Sequence, residues 1–123
     1  PDFRDKMEII YTGIIGRVQD TGSIFHLLLQ VTGGFKNSAD NICQPLKEQI
    51  MEFAGILYGV LSDGYHQGVL KTDVTAAENH QYVRMVFISN VFGVASRAKD
   101  KNLSVSHRQI IDNAYKMLIK ALA

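Results

Sequence analysis

One stretch near the middle of the chain, residues 82–95, restricts the possible folds most, because it has apolar residues on more than one side. Ten of its fourteen residues are apolar, counting Tyr and Ala. At about 100° per residue in a helix, these and the adjacent small residues form three strips. The strips are Val83, Phe87, Val91 and Val94; Met85, Ile88, Phe92 and Ala95; and Ser89, Gly93 and Ser96. A surface helix of a small domain needs only one apolar stripe. We therefore predict that the rest of the chain covers one side of this helix and that a second copy covers another.

The length, composition and net charge of the chain indicate one globular domain without a strongly charged surface. The chain has 123 residues, of which 46% are apolar and 20% are charged, as in ordinary soluble domains. It has 13 basic and 12 acidic residues, which give a net charge of +1. This balance argues for neither a nucleic-acid-binding nor a membrane-binding surface.

The sequence carries no membrane or secretion signal. Arg84 and Asn90 interrupt the longest apolar run, so no segment reaches the roughly 20 residues of a transmembrane helix, and no signal-peptide pattern is present. Cys43 is the only cysteine, which excludes an internal disulfide and fits a reducing compartment. We expect a cytoplasmic protein. Because the first residue is Pro1 rather than Met, we also expect the chain to be part of a longer protein.

Apolar residues at three- and four-residue steps predict three helices in the first half of the chain. The first runs from Asp2, which can cap its start, to about Thr21. Its internal glycines would be tolerated where another helix crosses closely. The leucine content of residues 24–31 favours a short second helix. Pro45 suits the first turn of the third helix, which Gly68 ends.

The second half predicts two further helices. The central helix should start at Asp73 or Thr75, since Thr75 and Glu78 match a capping box, and should run to about Arg97. Ser106 caps the last helix, whose apolar residues again cover more than half of the circumference. No segment alternates like a strand. The predicted fold is all-α, with about five helices, the last two forming an intermolecular four-helix bundle in a homodimer.

The residues that usually carry catalysis are scattered. His26, His66, His80 and His107 do not have the spacing of metal ligands. The sequence places no general base beside Cys43, and no glycine-rich phosphate loop is present. We therefore predict no catalytic residues, no metal site and no cofactor.

Large or adaptable side chains are abundant for a domain without Trp. Met fills irregular space and tolerates varied ligands, and an apolar cavity with a few polar tips is the usual small-molecule site. For any single one of these residues a plain hydrophobic core is the more frequent explanation, and periodicity does not distinguish the two. The residues are Tyr11, Phe25, Met51, Phe53, Tyr58, Met85 and Phe92.

The segment Leu61–Asp73, LSDGYHQGVLKTD, carries a family resemblance. A long helix ends there in a Gly-x-x-x-Gly-x-Leu-x-x-Asp turn and is followed by a helix with small residues in its apolar middle. The order of these signals resembles the C-terminal ligand-binding and dimerisation domain of the tetracycline-repressor (TetR) family of bacterial transcriptional regulators, over nearly the whole chain. The matching residues are Gly64, Gly68, Leu70 and Asp73, then Ser89 and Gly93, and the closing segment Asp112-Asn113-Ala114.

The resemblance implies a regulatory domain that spans residues 1–123, with the family's N-terminal helix-turn-helix domain absent from this chain. A small apolar or amphipathic effector would bind between the helices and control DNA binding, which would occur only through that missing domain. The ligand-binding residues so implied are Tyr11, Ile14, Phe25, His26, Leu28, Phe53, Leu57, Tyr58, Val83 and Phe87, with Tyr11, Tyr58 and His26 as polar tips.

Two copies would pair through the last two helices and so fix the separation of two DNA-reading domains. We call the following set the dimer surface: Met85, Ser89, Phe92, Gly93, Ser96, Ile110, Ala114, Met117, Leu118 and Ala121. The alternative is a helical protein–protein interaction module with no DNA-related role, which would use the same wide apolar faces. A homodimer with a closed internal pocket favours the regulator, and a monomer with an open apolar groove favours the module.

Overall fold

The structure, a computed structural model, describes residues 2–20, 44–99 and 105–123, with side chains for residues 2–16, 52, 55–98 and 105–123. These ranges contain four α-helices and no strand, so the all-α prediction is confirmed for them. None of these helices is both long and apolar enough to cross a membrane. The predicted helix at residues 24–31 lies outside the described residues. The helices are α1, Phe3–Asp20; α2, Gln44–His66; α3, His80–Lys99; and α4, His107–Ala121.

Helix α1 begins where the sequence predicts. The Asp2 side chain accepts a hydrogen bond of 2.8 Å from the Asp5 backbone N–H, which satisfies one of the free donors of the first turn. One face of α1 is buried, including Phe3, Met7 and Tyr11. Among the described residues, no helix crosses closely at the internal glycines of α1, because a Cβ on Gly13 or Gly16 would meet no described atom within 4 Å.

The close approach occurs instead at Gly64, near the end of α2. A Cβ at this position would lie 2.6 Å from Cδ1 of the fully buried Phe3 ring. The absence of a side chain at Gly64 therefore lets α1 pack its first turn directly against the backbone of α2. As predicted, Gly68 then ends the helix: its φ is +80°, and the Val69 N–H donates to the Gly64 carbonyl at 3.0 Å, which is the geometry of a glycine C-cap.

The segment between α2 and α3 is held in a non-helical conformation, so the predicted start of the central helix at Asp73 or Thr75 is wrong. The Asp73 carboxylate accepts hydrogen bonds from both the backbone N–H and the hydroxyl of Thr75, at 2.9 and 2.6 Å. Thr75 is thus engaged with Asp73, and not with Glu78 in a capping box. The Val74 side chain is fully buried, and its carbonyl accepts from the Tyr58 hydroxyl. A 3-10 turn at Ala77–Asn79 precedes α3.

Helices α3 and α4 form an antiparallel pair. The Tyr82 hydroxyl near the start of α3 donates to the Ala121 carbonyl at the end of α4, at 2.6 Å. Further along, the Asn90 amide donates to the Ala114 carbonyl at 2.9 Å. As predicted, Ser106 caps α4, accepting from the Gln109 N–H at 3.1 Å. These bonds fix the register of the two helices.

The end of α4 also closes the loop that follows α2. The carbonyl of Leu122 accepts hydrogen bonds from the backbone N–H groups of Lys71 and Thr72, both at 3.0 Å. The side chains of Leu122 and Leu70 are buried in the same hydrophobic cluster. The last residues of the chain are therefore part of the core.

Charged side chains join the first turns of α1 and α4. Arg108 donates to Glu8 of α1 at 2.8 Å and pairs with Asp112 of its own helix at 2.9 Å. Arg4 approaches Asp112 at 3.5 Å and lies 5.0 Å above the ring of Tyr115. Because Arg108 and Asp112 are about half exposed and Glu8 is also partly exposed, the pairs orient the two helix ends rather than stabilise them strongly.

Candidate functional site

A chain of two hydrogen bonds crosses the centre of the bundle. The Tyr11 hydroxyl of α1 donates to the side-chain oxygen of Asn90 in α3 at 2.5 Å. The Asn90 amide nitrogen donates in turn to the Ala114 carbonyl of α4 at 2.9 Å. One side chain thus connects three helices inside an apolar core. We call Tyr11 and Asn90 the polar pair.

Burial governs the chemistry of this pair. Tyr11 is fully buried and Asn90 is 8% exposed, and apart from the Tyr11 hydroxyl no other polar side chain among the described residues is buried. Loss of hydration raises the pKa of Tyr11 well above its ordinary value, although the bond to Asn90 opposes the shift. Tyr11 is therefore neutral at physiological pH and acts as a hydroxyl donor and acceptor.

The structure brings half of the predicted ligand-binding residues into one cluster. Tyr11, Ile14, Leu57 and Val83 are buried together, and Phe87 packs against them. Phe25, His26 and Leu28 lie outside the described residues, and Phe53 lies in α2 without a described side chain. The clustered residues come from α1, α2 and α3, as their helical faces predict.

Tyr58, the second predicted polar tip, points its hydroxyl elsewhere. Its O–H donates to the carbonyl of Val74 in the loop after α2, and its ring meets His80 edge-on at 5.9 Å. Tyr58 therefore holds the loop against α2 and α3 and is not part of the central cluster.

Sequence reasoning missed Asn90 as a candidate site residue. We noted it only as an interruption of an apolar run, although the run itself contained a usable signal. Asn90 lies three residues after Phe87 and four before Val94, which puts it on the apolar face of α3. An amide in that position must find partners inside the core.

The predicted dimer surface divides into an inner and an outer group. Ile110, Ala114 and Leu118 are buried within the chain's own core. They pack in the cluster that also contains Val91 and Val94. The chain itself thus already covers these α4 residues, and a second copy would have to use the other members of the set.

The outer group lies on the opposite side of the α3–α4 pair. Met85 is 62% exposed and Met117 is 61% exposed, and Ser89 is exposed as well. Phe92, Gly93, Ser96 and Ala121 are partly exposed, and a Cβ added to Gly93 would meet no described atom within 4 Å. Although Phe92 also packs against the core, the described residues therefore leave an apolar face of α3 largely uncovered.

The described residues do not form a metal site. No group of three or more His, Cys, Asp or Glu side chains in these ranges is placed to hold an ion. His66, His80 and His107 are exposed and lie in different elements. Cys43 and His26 are outside the described part of the chain.

Comparison with known proteins yields no relative. No protein-family model matches the chain, and no curated protein or solved structure matches it significantly. The features of the described residues that bear on function are therefore the central polar pair and the exposed face of α3 and α4.

Proposed function

We propose that this chain is the regulatory domain of a TetR-like transcriptional regulator, which dimerises through α3 and α4 and binds a small apolar or amphipathic effector between its helices. The observation that carries the proposal is the uncovered apolar face of α3. Effector binding would control DNA binding by an N-terminal helix-turn-helix domain outside this chain.

The outer face of α3 is suited to contact a second copy of the chain because an arc of this face has no charged side chain. At about 100° per residue, one group of outward residues of α3 fills an arc of roughly 100°, and none of this group is ionisable except Tyr82. The exposed Arg84 and Arg97 lie outside this arc. A two-fold axis places each residue opposite the same region of its partner, so a charge in this arc would face a like charge. The arc comprises Tyr82, Met85, Ser89, Phe92, Gly93 and Ser96.

Helix α4 extends this face. The bonds from Tyr82 to Ala121 and from Asn90 to Ala114 place Met117 beside the same stretch of α3 that carries Met85. Two exposed methionines at one level of an antiparallel pair give an adaptable apolar contact. With Met117 and Ala121, the arc becomes a two-helix face of the kind that forms a four-helix bundle in a symmetric dimer.

The effector-binding part of the proposal is supported by the central cluster. It combines large apolar side chains with a hydrogen-bonding group that joins α1, α3 and α4. A ligand that binds one arrangement of these helices more tightly shifts the equilibrium toward it, and the coupling to DNA binding is reciprocal. Because the polar pair links α1 to the dimerising helices, a displacement of α1 changes contacts on α3.

The dimer is tested by placing a charge in the outer face. We expect Met85→Glu to turn a dimer into a monomer in sedimentation equilibrium, since the carboxylate would be buried against its symmetric copy. Ile9→Glu is the matched control, because Ile9 on α1 is 67% exposed and lies outside the outer face. A dimer that persists in Met85→Glu, or wild-type protein that remains monomeric at high concentration, would refute this part of the proposal.

A protein–protein interaction module is the alternative function. It is favoured by the same exposed methionines, Met85 and Met117. A monomeric wild type would favour it, whereas a dimer encoded directly downstream of a basic three-helix segment would favour the regulator.

A further inference from the structure

The polar pair has more hydrogen-bonding capacity than the described residues use. A carboxamide has two N–H donors and two lone pairs, and a tyrosine hydroxyl has two lone pairs besides its proton. Asn90 uses one N–H toward the Ala114 carbonyl and one lone pair toward Tyr11. Because a carbonyl can only accept, the bond to Ala114 also fixes the orientation of the amide. One N–H, one lone pair of Asn90 and the oxygen lone pairs of Tyr11 have no partner among the described residues.

The described surroundings of this pair are mainly apolar and carry no charge. Apart from Tyr11 itself, the buried side chains described are aliphatic or aromatic residues, Met7 and Asn90. Moving a charged group into such an environment without a counter-charge costs far more than moving a neutral polar group that gains a hydrogen bond. Because burial raises the pKa of Tyr11, the hydroxyl does not ionise to balance a cation.

We propose that the Tyr11–Asn90 pair receives an uncharged hydrogen-bonding group, such as a hydroxyl, amide or carbonyl, on an otherwise apolar ligand. The inference rests on the proposed function, because it takes the effector to bind in the central cluster. It narrows the effector to neutral molecules with an apolar body. The unused N–H of Asn90 would donate to the ligand oxygen, and the Tyr11 oxygen would accept from a ligand O–H or N–H.

Three probes with the same alkyl chain separate the effect of the head group from that of the body. They are 1-octanol, octanoate and octylammonium, each titrated into the whole chain at neutral pH and followed by NMR of the backbone and the Asn90 side-chain amide. We expect octanol to bind at least about tenfold more tightly than either ion. We also expect the Asn90 side-chain N–H signals to shift when octanol binds.

Variants test whether the pair makes the contact. Asn90→Leu should lower the affinity for octanol about fivefold, since one net hydrogen bond is worth about 1 kcal/mol. If that variant does not fold, Tyr11→Phe removes only the hydroxyl and should lower the affinity severalfold. Lys116→Ala, at an exposed position of α4, should leave the affinity unchanged.

The outcomes distinguish this inference from the proposed function. Equal affinity for octanol and the ions, or octanol binding that leaves the Asn90 signals unmoved, overturns the inference while effector binding stands. If none of the three probes binds, both the inference and the effector-binding part of the proposal fail, and the dimer is judged separately by sedimentation.

Discussion

The two sides of the α3–α4 pair differ sharply in how completely the chain covers them. On the inner side, Ala95 and Leu118 are almost completely buried, and even the polar Asn90 has partners in α1 and α4. On the outer side, Met85 and Met117 are mostly exposed although they are just as apolar. Helix periodicity marks both sides as buried. Only the packing of α1 against α3 and α4 shows which of them the chain itself covers.

Adjacent residues of α4 provide the strongest test of this contrast. Leu118→Ala should lower the free energy of unfolding by about 2–5 kcal/mol, because Leu118 is 1% exposed and truncation leaves a cavity. Met117→Ala should change the free energy of unfolding of the monomer by less than about 0.5 kcal/mol. Urea unfolding at a protein concentration low enough to keep the chain monomeric measures both. A similar loss in the two variants would mean that the two sides are equally covered.

Substitutions at two glycines of α2 compare a closely packed position with an open one in the same helix. In Gly64→Ala the new methyl would overlap the Phe3 ring, and we expect a loss of about 1–3 kcal/mol in unfolding free energy. Gly59→Ala should be neutral or stabilising by up to about 1 kcal/mol, since a Cβ there meets no atom within 4 Å. Thermal and urea unfolding of both variants give the comparison. An unchanged stability of Gly64→Ala would show that α1 does not approach α2 as closely as described.

The smallest effect concerns alkaline pH and the buried Tyr11. The pKa of Tyr11 is raised in the folded state by burial, so its contribution to stability is complete below about pH 10, the ordinary tyrosine value, and is lost as pH rises beyond it. Unfolding free energy should therefore fall above about pH 10 by up to about 1.4 kcal/mol per pH unit for this one proton.

Tyr11→Phe isolates that contribution, because the variant lacks the titrating hydroxyl. Its stability should decline less steeply above about pH 10 than that of the wild type. Tyr115→Phe is the control. Burial also raises the pKa of Tyr115, but the nearby cation of Arg4 opposes that shift. Parallel pH profiles for wild type and Tyr11→Phe would contradict a buried, neutral Tyr11.

Local signals predicted much of the helical framework. Asp2, Gly68 and Ser106 mark helix ends in the sequence, and each has the predicted capping role in the structure. The predicted start of α3 was wrong because Asp73 and Thr75 fit two different local hydrogen-bonding patterns. A Thr followed three residues later by Glu fits a capping box, but a preceding Asp can bind the same Thr first.

Long-range contacts could not be read from periodicity. Gly64 matched a family turn pattern in the sequence, yet its contact with Phe3 depends on how α1 meets α2. Ile110 and Ala114 were assigned to the dimer surface because the periodicity of a single helix shows which of its faces are apolar. It does not show whether a face packs within the chain or against a second copy. Half of the predicted ligand-binding residues do cluster, since each lies on the apolar face of its own helix. Asn90 was missed because a polar amide is expected at the surface, and its buried hydrogen-bond partners are known only from the structure.

The acceptor role of the Leu122 carbonyl has a consequence for the order of assembly. Lys71 and Thr72 donate to a carbonyl about 50 residues later in the sequence, so their amide protons are shielded only once α4 has docked. Hydrogen–deuterium exchange at these two positions would therefore report when the bundle closes. In a ribosome-bound chain they would stay fast-exchanging until α4 had emerged.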